Sequence, residues 1–239
     1  MSKSSEEYKR LKKKLAASAG LAYVKRMTLH ERSLHIFEGN CIDLTRALDY
    51  VEATENILNL WAEDNRDKQQ FAHREVVRHF HNVVSAAQSL VEHTRNFMSI
   101  WHKDTPIHGQ YSRKIKAEFA EDPLARFVQD LRNYFLHKEI PPSKMVLTFN
   151  VDTKDPPKSR VLLRLNDLKR WNRWKKESKV FLESRGEDME LRDLLNQYRA
   201  KVTTFYRWFR EEMDSWHMHE LTELPNLREE IERYQKAAF

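Results

Sequence analysis

The sequence predicts a mostly α-helical protein: a helical bundle with one inserted β-hairpin and additional C-terminal helices. Three observations predict it. Glycine (4) and proline (7) are scarce in 239 residues, so little interrupts the chain. Apolar side chains recur every three or four positions through most of its length, the period of a helix with one buried face. Beyond the pair Pro141-Pro142 the period shortens to two, the signature of strands.

The elements follow in chain order. Residues 1–20 are polar and basic with weak apolar periodicity, and segment 1–25 reads as a basic N-terminal arm or frayed helix. In "CIDLTRALDYVEATENILNLWAEDN", Ile42, Leu44, Leu48, Val51, Leu58 and Trp61 fit one helical face. Phe80, Val84, Ala87, Val91, Thr94, Met98 and Trp101 mark a longer helix, unbroken as far as "KDTPIHG". A short basic segment, "YSRKIKAEFAED", leads to Pro123 and a helix over about 123–138 that the proline pair stops. These helices make a core over 26–140.

The third segment, 141–239, contains the hairpin. "KMVLTFNV" sets Met145, Leu147, Phe149 and Val151 against Val146, Thr148 and Asn150, and "RVLLRL" follows a turn-rich stretch. An isolated hairpin is marginal in water, so it should pack on the helices. Leu191, Leu194, Leu195, Tyr198, Val202, Phe205, Phe209 and Met213 then form a long helical stripe, and a short last helix should follow Pro225.

Charge and composition narrow the function. A formal net charge of +6 favours a polyanionic partner such as RNA, DNA or acidic lipid headgroups. No run of about eighteen apolar residues is present, so no membrane partner is expected. One cysteine, Cys41, excludes an internal disulfide and fits a reducing, cytoplasmic setting. Four dispersed glycines cannot build a phosphate-cradling loop. His79 with His81, and His217 with His219, lie two apart and diverge on a helix, so no metal and no cofactor is expected. "WNRWKK" places Trp171 and Trp174 among cations, a pattern that serves either base stacking or ordinary packing.

Arginine and histidine at close spacing occur as Arg66/His73, Arg74 with His79 or His81, Arg95/His102, Arg132/His137 and Arg210/His217. Spacing alone does not discriminate among them. Only Arg132-Asn133 is followed by a histidine at a firm helix end, where the negative end of the helix dipole suits a cation. On a helical wheel of about 100° per residue, Phe127, Val128, Leu131, Tyr134 and Phe135 share one core-facing arc. Asn133 and His137 lie together on the polar side, with Arg132 roughly 140° from His137. Two groups so far apart meet one phosphate most simply when two copies of the chain face each other. The plain structural alternative is that Arg132 pairs with Asp130 or Glu139 and His137 caps carbonyls.

"DLRNYFLH" resembles the motif of the HEPN (higher-eukaryote and prokaryote nucleotide-binding) superfamily: arginine, a polar residue, a gap of four to six residues in all, then histidine. The likeness covers roughly residues 40–140 as a helical core, with sequence likeness only at the short motif. Glu139 stands where some toxin branches of the family carry tyrosine. The resemblance implies a metal-independent endoribonuclease acting as a homodimer, with a role in toxin or phage-defence systems and a possible antitoxin or defence partner. Arg132, Asn133 and His137 would then be its catalytic residues, leaving a 2′,3′-cyclic phosphate on cleaved RNA. Two alternatives stand beside it: an inactive HEPN-like module that binds RNA or a nucleotide, and a helical dimeric scaffold that recruits a protein.

Overall fold

Two long helices set the frame of the computed structural model, which describes residues 3–149 and 155–238. The chain opens with α1 (Lys3–Ala17) and continues through α2 (Ala19–Glu52), α3 (Thr54–Trp61) and, after a single 3-10 turn, α4 (Arg66–Trp101). Helix α5 (Pro106–Ile115) runs directly into a π-helical stretch, Lys116–Ala120, before α6 (Pro123–His137). Strands β1 (Ser143–Thr148) and β2 (Lys158–Arg164) follow, then α7 (Leu165–Lys169), α8 (Lys176–Glu183), β3 (Asp188–Glu190), α9 (Leu191–Trp216) and α10 (Met218–Ala238). No helix among the described residues is long and apolar enough to cross a membrane.

The mostly helical fold with an inserted hairpin is the architecture observed. Helices α2 and α4 lie along each other, and one buried cluster runs from Tyr23 on α2 to Met213 on α9. All eight residues of the α9 stripe are buried, as the periodicity predicts. The hairpin pairs β1 with β2 antiparallel, Met145 opposite Val161, and buries Val161 and Leu163. Strand β1 is half-buried on both faces, so its alternation does not divide inside from outside. Phe149 is exposed, and Asn150 and Val151 lie outside the described residues.

Several expectations are corrected. Of the two readings of the N-terminal segment, arm or helix, the structure has the helix, though not a frayed one: α1 packs on α10 through Leu11, Leu227 and Ile231. The single face across 42–61 is broken at Ala53, whose extended backbone (φ −64°, ψ 128°) ends α2 and restarts the register. In consequence Ile57 and Leu60 are buried, whereas Leu58 is 80% exposed and Ile42 is also exposed. Helix α10 begins at Met218 and carries Pro225 inside it, where proline removes one backbone donor without stopping the helix. Helices α7 and α8 and strand β3, which pairs Met189 with Leu163, were not anticipated. Each is eight residues or shorter, too brief for periodicity to declare.

Candidate functional site

Helix α6 carries the motif, and its limits have local causes. Asp122 caps its N-terminus, the carboxylate Oδ1 accepting from the Ala125 N–H at 2.8 Å, and Pro123 occupies the first turn, where its missing N–H costs nothing. Phe127, Val128, Leu131 and Tyr134 are buried on the expected arc and Phe135 is half-buried. At the far end the Lys138 and Glu139 N–H groups both donate to the Tyr134 carbonyl, at 2.9 and 3.2 Å, which closes the helix on His137. The Tyr134 hydroxyl donates to Glu139 at 3.0 Å, and burial beside that carboxylate pushes its pKa up.

A buried carboxylate on the same helix positions the opposite wall. Asp130, 2% exposed, accepts from the Ser178 hydroxyl at 2.8 Å and the Lys175 N–H at 3.0 Å, so it caps the N-terminus of α8 from another element. That contact fixes the loop between α7 and α8. Trp174 in this loop is buried, donates Nε1–H to the Leu168 carbonyl at 2.7 Å and stacks on Tyr134 with ring centroids 5.7 Å apart. Trp171 stands edge-on to both, 4.8 Å from Trp174 and 5.2 Å from Tyr134, and stays half-exposed. The two tryptophans therefore divide the roles that "WNRWKK" left open: Trp174 is core, and Trp171 presents a surface.

His137 is exposed and borders a cleft of about 710 Å³ between the end of α6 and the α7–α8 loop. Lys138, Arg170, Trp171 and Arg173 line it, with Asp167 and Glu139 as the acids. Asp167 is occupied by Arg164 at 3.0 Å and Arg170 at 3.3 Å, while Arg173 makes no ion pair among the described residues. The rim therefore presents a histidine, an uncompensated arginine and an aromatic surface.

Arg132 faces elsewhere. It borders a separate groove of about 320 Å³ between α4 and α6, in the company of His81 and His93. Asn133, half-buried, lines neither space. Within one chain the structure thus does not bring Arg132 and His137 together, as the 140° separation on the wheel anticipates. The pairings of the plain alternative are not formed. Among the described residues the side chains of Arg132, Asn133 and His137 make no hydrogen bond or ion pair, while Asp130 and Glu139 serve other partners.

The competing arginine–histidine pairs are largely consumed by structure. Arg95 binds Glu92 at 2.9 Å, and His102 is buried. Arg210 binds Asp214 at 2.6 Å and also pairs with Glu31, and His217 is buried against Tyr23. His73 bonds Ser143 at 2.9 Å. Cys41 is fully buried and desolvation pushes its thiol up to about 12, so it is packing rather than a nucleophile.

His81, Trp171, Arg170 and Arg173 are residues that motif spacing did not single out as site components. His81 lies 51 positions before Arg132 and only the α4–α6 packing unites them, its ring meeting that of Phe135 with centroids 5.0 Å apart. Fold and site together define a mostly helical protein with an open basic and aromatic cleft at a helix end. No family model, curated protein or solved structure matches the chain.

Proposed function

We propose that the protein is a metal-independent endoribonuclease of HEPN type, cutting RNA at a site composed from two copies of the chain. The observation that carries this reading is that Arg132 and His137 are both unpaired yet open into different spaces of one protomer. A facing copy would bring one chain's arginine to the other's histidine. Leu136 and Ile140, 55% and 64% exposed beside His137, supply apolar surface for that contact.

In the proposed reaction the RNA 2′-hydroxyl attacks its own phosphorus and the 5′-oxygen leaves, giving a 2′,3′-cyclic phosphate and a free 5′-hydroxyl. His137 moves the proton, as base toward the 2′-hydroxyl or acid toward the 5′-oxygen. Arg132 binds the non-bridging oxygens and offsets the charge that grows in the transition state. Asn133 orients the phosphate or the imidazole. Trp171 and the arginines of the cleft hold the flanking nucleotides by stacking and phosphate pairing. No cofactor enters this scheme, and the RNA supplies the nucleophile. A toxin or phage-defence setting, in the cytoplasm and under an antitoxin or defence partner, belongs to the same proposal.

The cleft also favours a second reading, an inactive HEPN-like module that grips RNA through Trp171, Arg170 and Arg173 without cutting it. Cellular RNA incubated in EDTA with wild type and with His137→Ala separates the two. The ribonuclease cuts, leaves cyclic-phosphate ends and loses activity in a folded His137→Ala variant. Salt-sensitive binding without cleavage selects the module. Equal cutting by both proteins would remove His137 from the site.

A further inference from the structure

A third space, distinct from the His137 cleft and the Arg132 groove, is formed where α4, α5, α6 and α9 meet. We propose that this cavity binds a small, compact apolar monocarboxylate, with Arg126 taking the carboxylate and the apolar body filling the space behind it. The inference does not depend on the ribonuclease reading.

The cavity measures about 140 Å³ and is walled by Val84, Leu90, Ile115, Phe119, Val202 and Phe205. An apolar cavity of roughly 150 Å³ stays dry and accepts a ring the size of benzene. Its outline owes something to backbone geometry. In the π-helical stretch Lys116–Ala120 the Glu121 N–H reaches back five residues to the Lys116 carbonyl at 3.3 Å, which widens the turn that carries Phe119 and Ala120 into the wall. Such widened turns recur at functional sites.

The polar groups around this space argue for an anion. The Arg126 guanidinium spends Nη1 on Gln129 at 2.8 Å, but its Nε is buried and makes no hydrogen bond. The facing carboxylate, Asp130, forms an ion pair with that Nε at 3.8 Å, too long for a hydrogen bond, and its other oxygen is occupied by Ser178 and Lys175, so the Nε–H itself keeps no acceptor. Tyr111, 8% exposed, also lines the cavity, and among the described residues its hydroxyl makes no hydrogen bond. Of the other polar groups, Arg95 and Gln88 are committed to Glu92 and the Thr94 hydroxyl to the Leu90 carbonyl and Tyr206, while the Tyr198 hydroxyl, like that of Tyr111, makes no hydrogen bond among the described residues. A buried N–H without an acceptor is costly. A carboxylate answers it with a charge-assisted bond and leaves its second oxygen for the neighbouring donors.

Calorimetric titration of the full chain at pH 7 tests this with benzoate, benzamide and acetate. Benzamide keeps the ring and lacks the charge; acetate keeps the charge and lacks the ring. The wild type should bind one benzoate per chain, about tenfold or more tighter than either analogue. Arg126→Gln should bring benzoate and benzamide within about threefold of each other, and Val202→Phe, which fills the space, should abolish binding of both. No saturable binding of benzoate, or benzamide bound as tightly as benzoate by wild type, would overturn the proposal. The ligand series on wild type decides the matter even where Val202→Phe does not fold.

Discussion

Asp130 shows how much one residue can govern. It sits on the core face of α6, where a charge is unexpected, because its carboxylate replaces the missing backbone partners at the start of α8. Asp130→Ala should leave the Ser178 hydroxyl and the Lys175 N–H without their acceptor and destabilise the protein by about 2–3 kcal/mol, measured by urea unfolding. It should also release the α7–α8 loop and weaken the RNA binding proposed for the His137 cleft. Trp171→Ala should lower RNA affinity by about 1–2 kcal/mol in a salt-controlled binding assay, since it removes a stacking surface. Unchanged affinity would make Trp171 a packing residue only. At this scale Arg132, Asn133 and His137 could be nominated as candidates from the sequence, because a firm helix end gave context to an otherwise common spacing, but that Arg132 and His137 open into different spaces and Asn133 into neither needed the structure. His81 and Arg173 could not be, because nothing local links residues that only packing assembles.

Among the elements, the close approach of α2 to α10 makes a pointed case. A Cβ added at Gly20 would stand 2.4 Å from the Glu220 carbonyl oxygen and 3.1 Å from Leu224 Cγ. Alanine is the better helix former by about 1 kcal/mol, yet here it must push backbone aside. Gly20→Ala should therefore lower stability by roughly 1–3 kcal/mol, read as a drop in Tm, whereas the open Gly39 should tolerate alanine or gain from it. The long elements were readable because many turns repeat one pattern: α9 buries every residue the periodicity selects, and α4 and α6 bury all of theirs except Val91 and Phe135, which are half-buried, and Trp101 at the end of α4, which is exposed. The breaks were not. Ala53 carries no helix-stopping chemistry, and Pro225, which does, is overridden by packing of Leu224, Leu227 and Ile231 on both of its sides.

For the whole molecule, buried histidines tie the core to pH. His30 is buried between α2, α4 and α9, with Nε2 2.9 Å from the Thr94 hydroxyl, which in turn lies 2.6 Å from the Tyr206 hydroxyl. His102 is buried at the end of α4, 5.3 Å from the ring of His217. Desolvation, aided by His93 at the first and by His217 and Arg26 at the second, pushes both imidazoles down to about 4 from the ordinary 6.5. The unfolded chain therefore takes up protons near pH 6.5 that the folded chain refuses until about pH 4. Their contribution to stability is full above pH 6.5 and is lost as the pH falls toward 4, a fall on the order of a few kcal/mol. Thermal unfolding followed from pH 7.5 down to about 4.5 should show Tm dropping, with a smaller drop in His30→Gln.

The separation of Arg132 from His137 within one chain gives the composite site its most direct test. Folded His137→Ala and Arg132→Ala proteins, each inactive alone, are mixed, allowed to exchange subunits, and assayed on RNA in EDTA. Each mixed dimer keeps one intact arginine–histidine pairing, so activity should return to about a quarter of wild type. No return, with exchange verified by mass, would contradict a site shared between two chains.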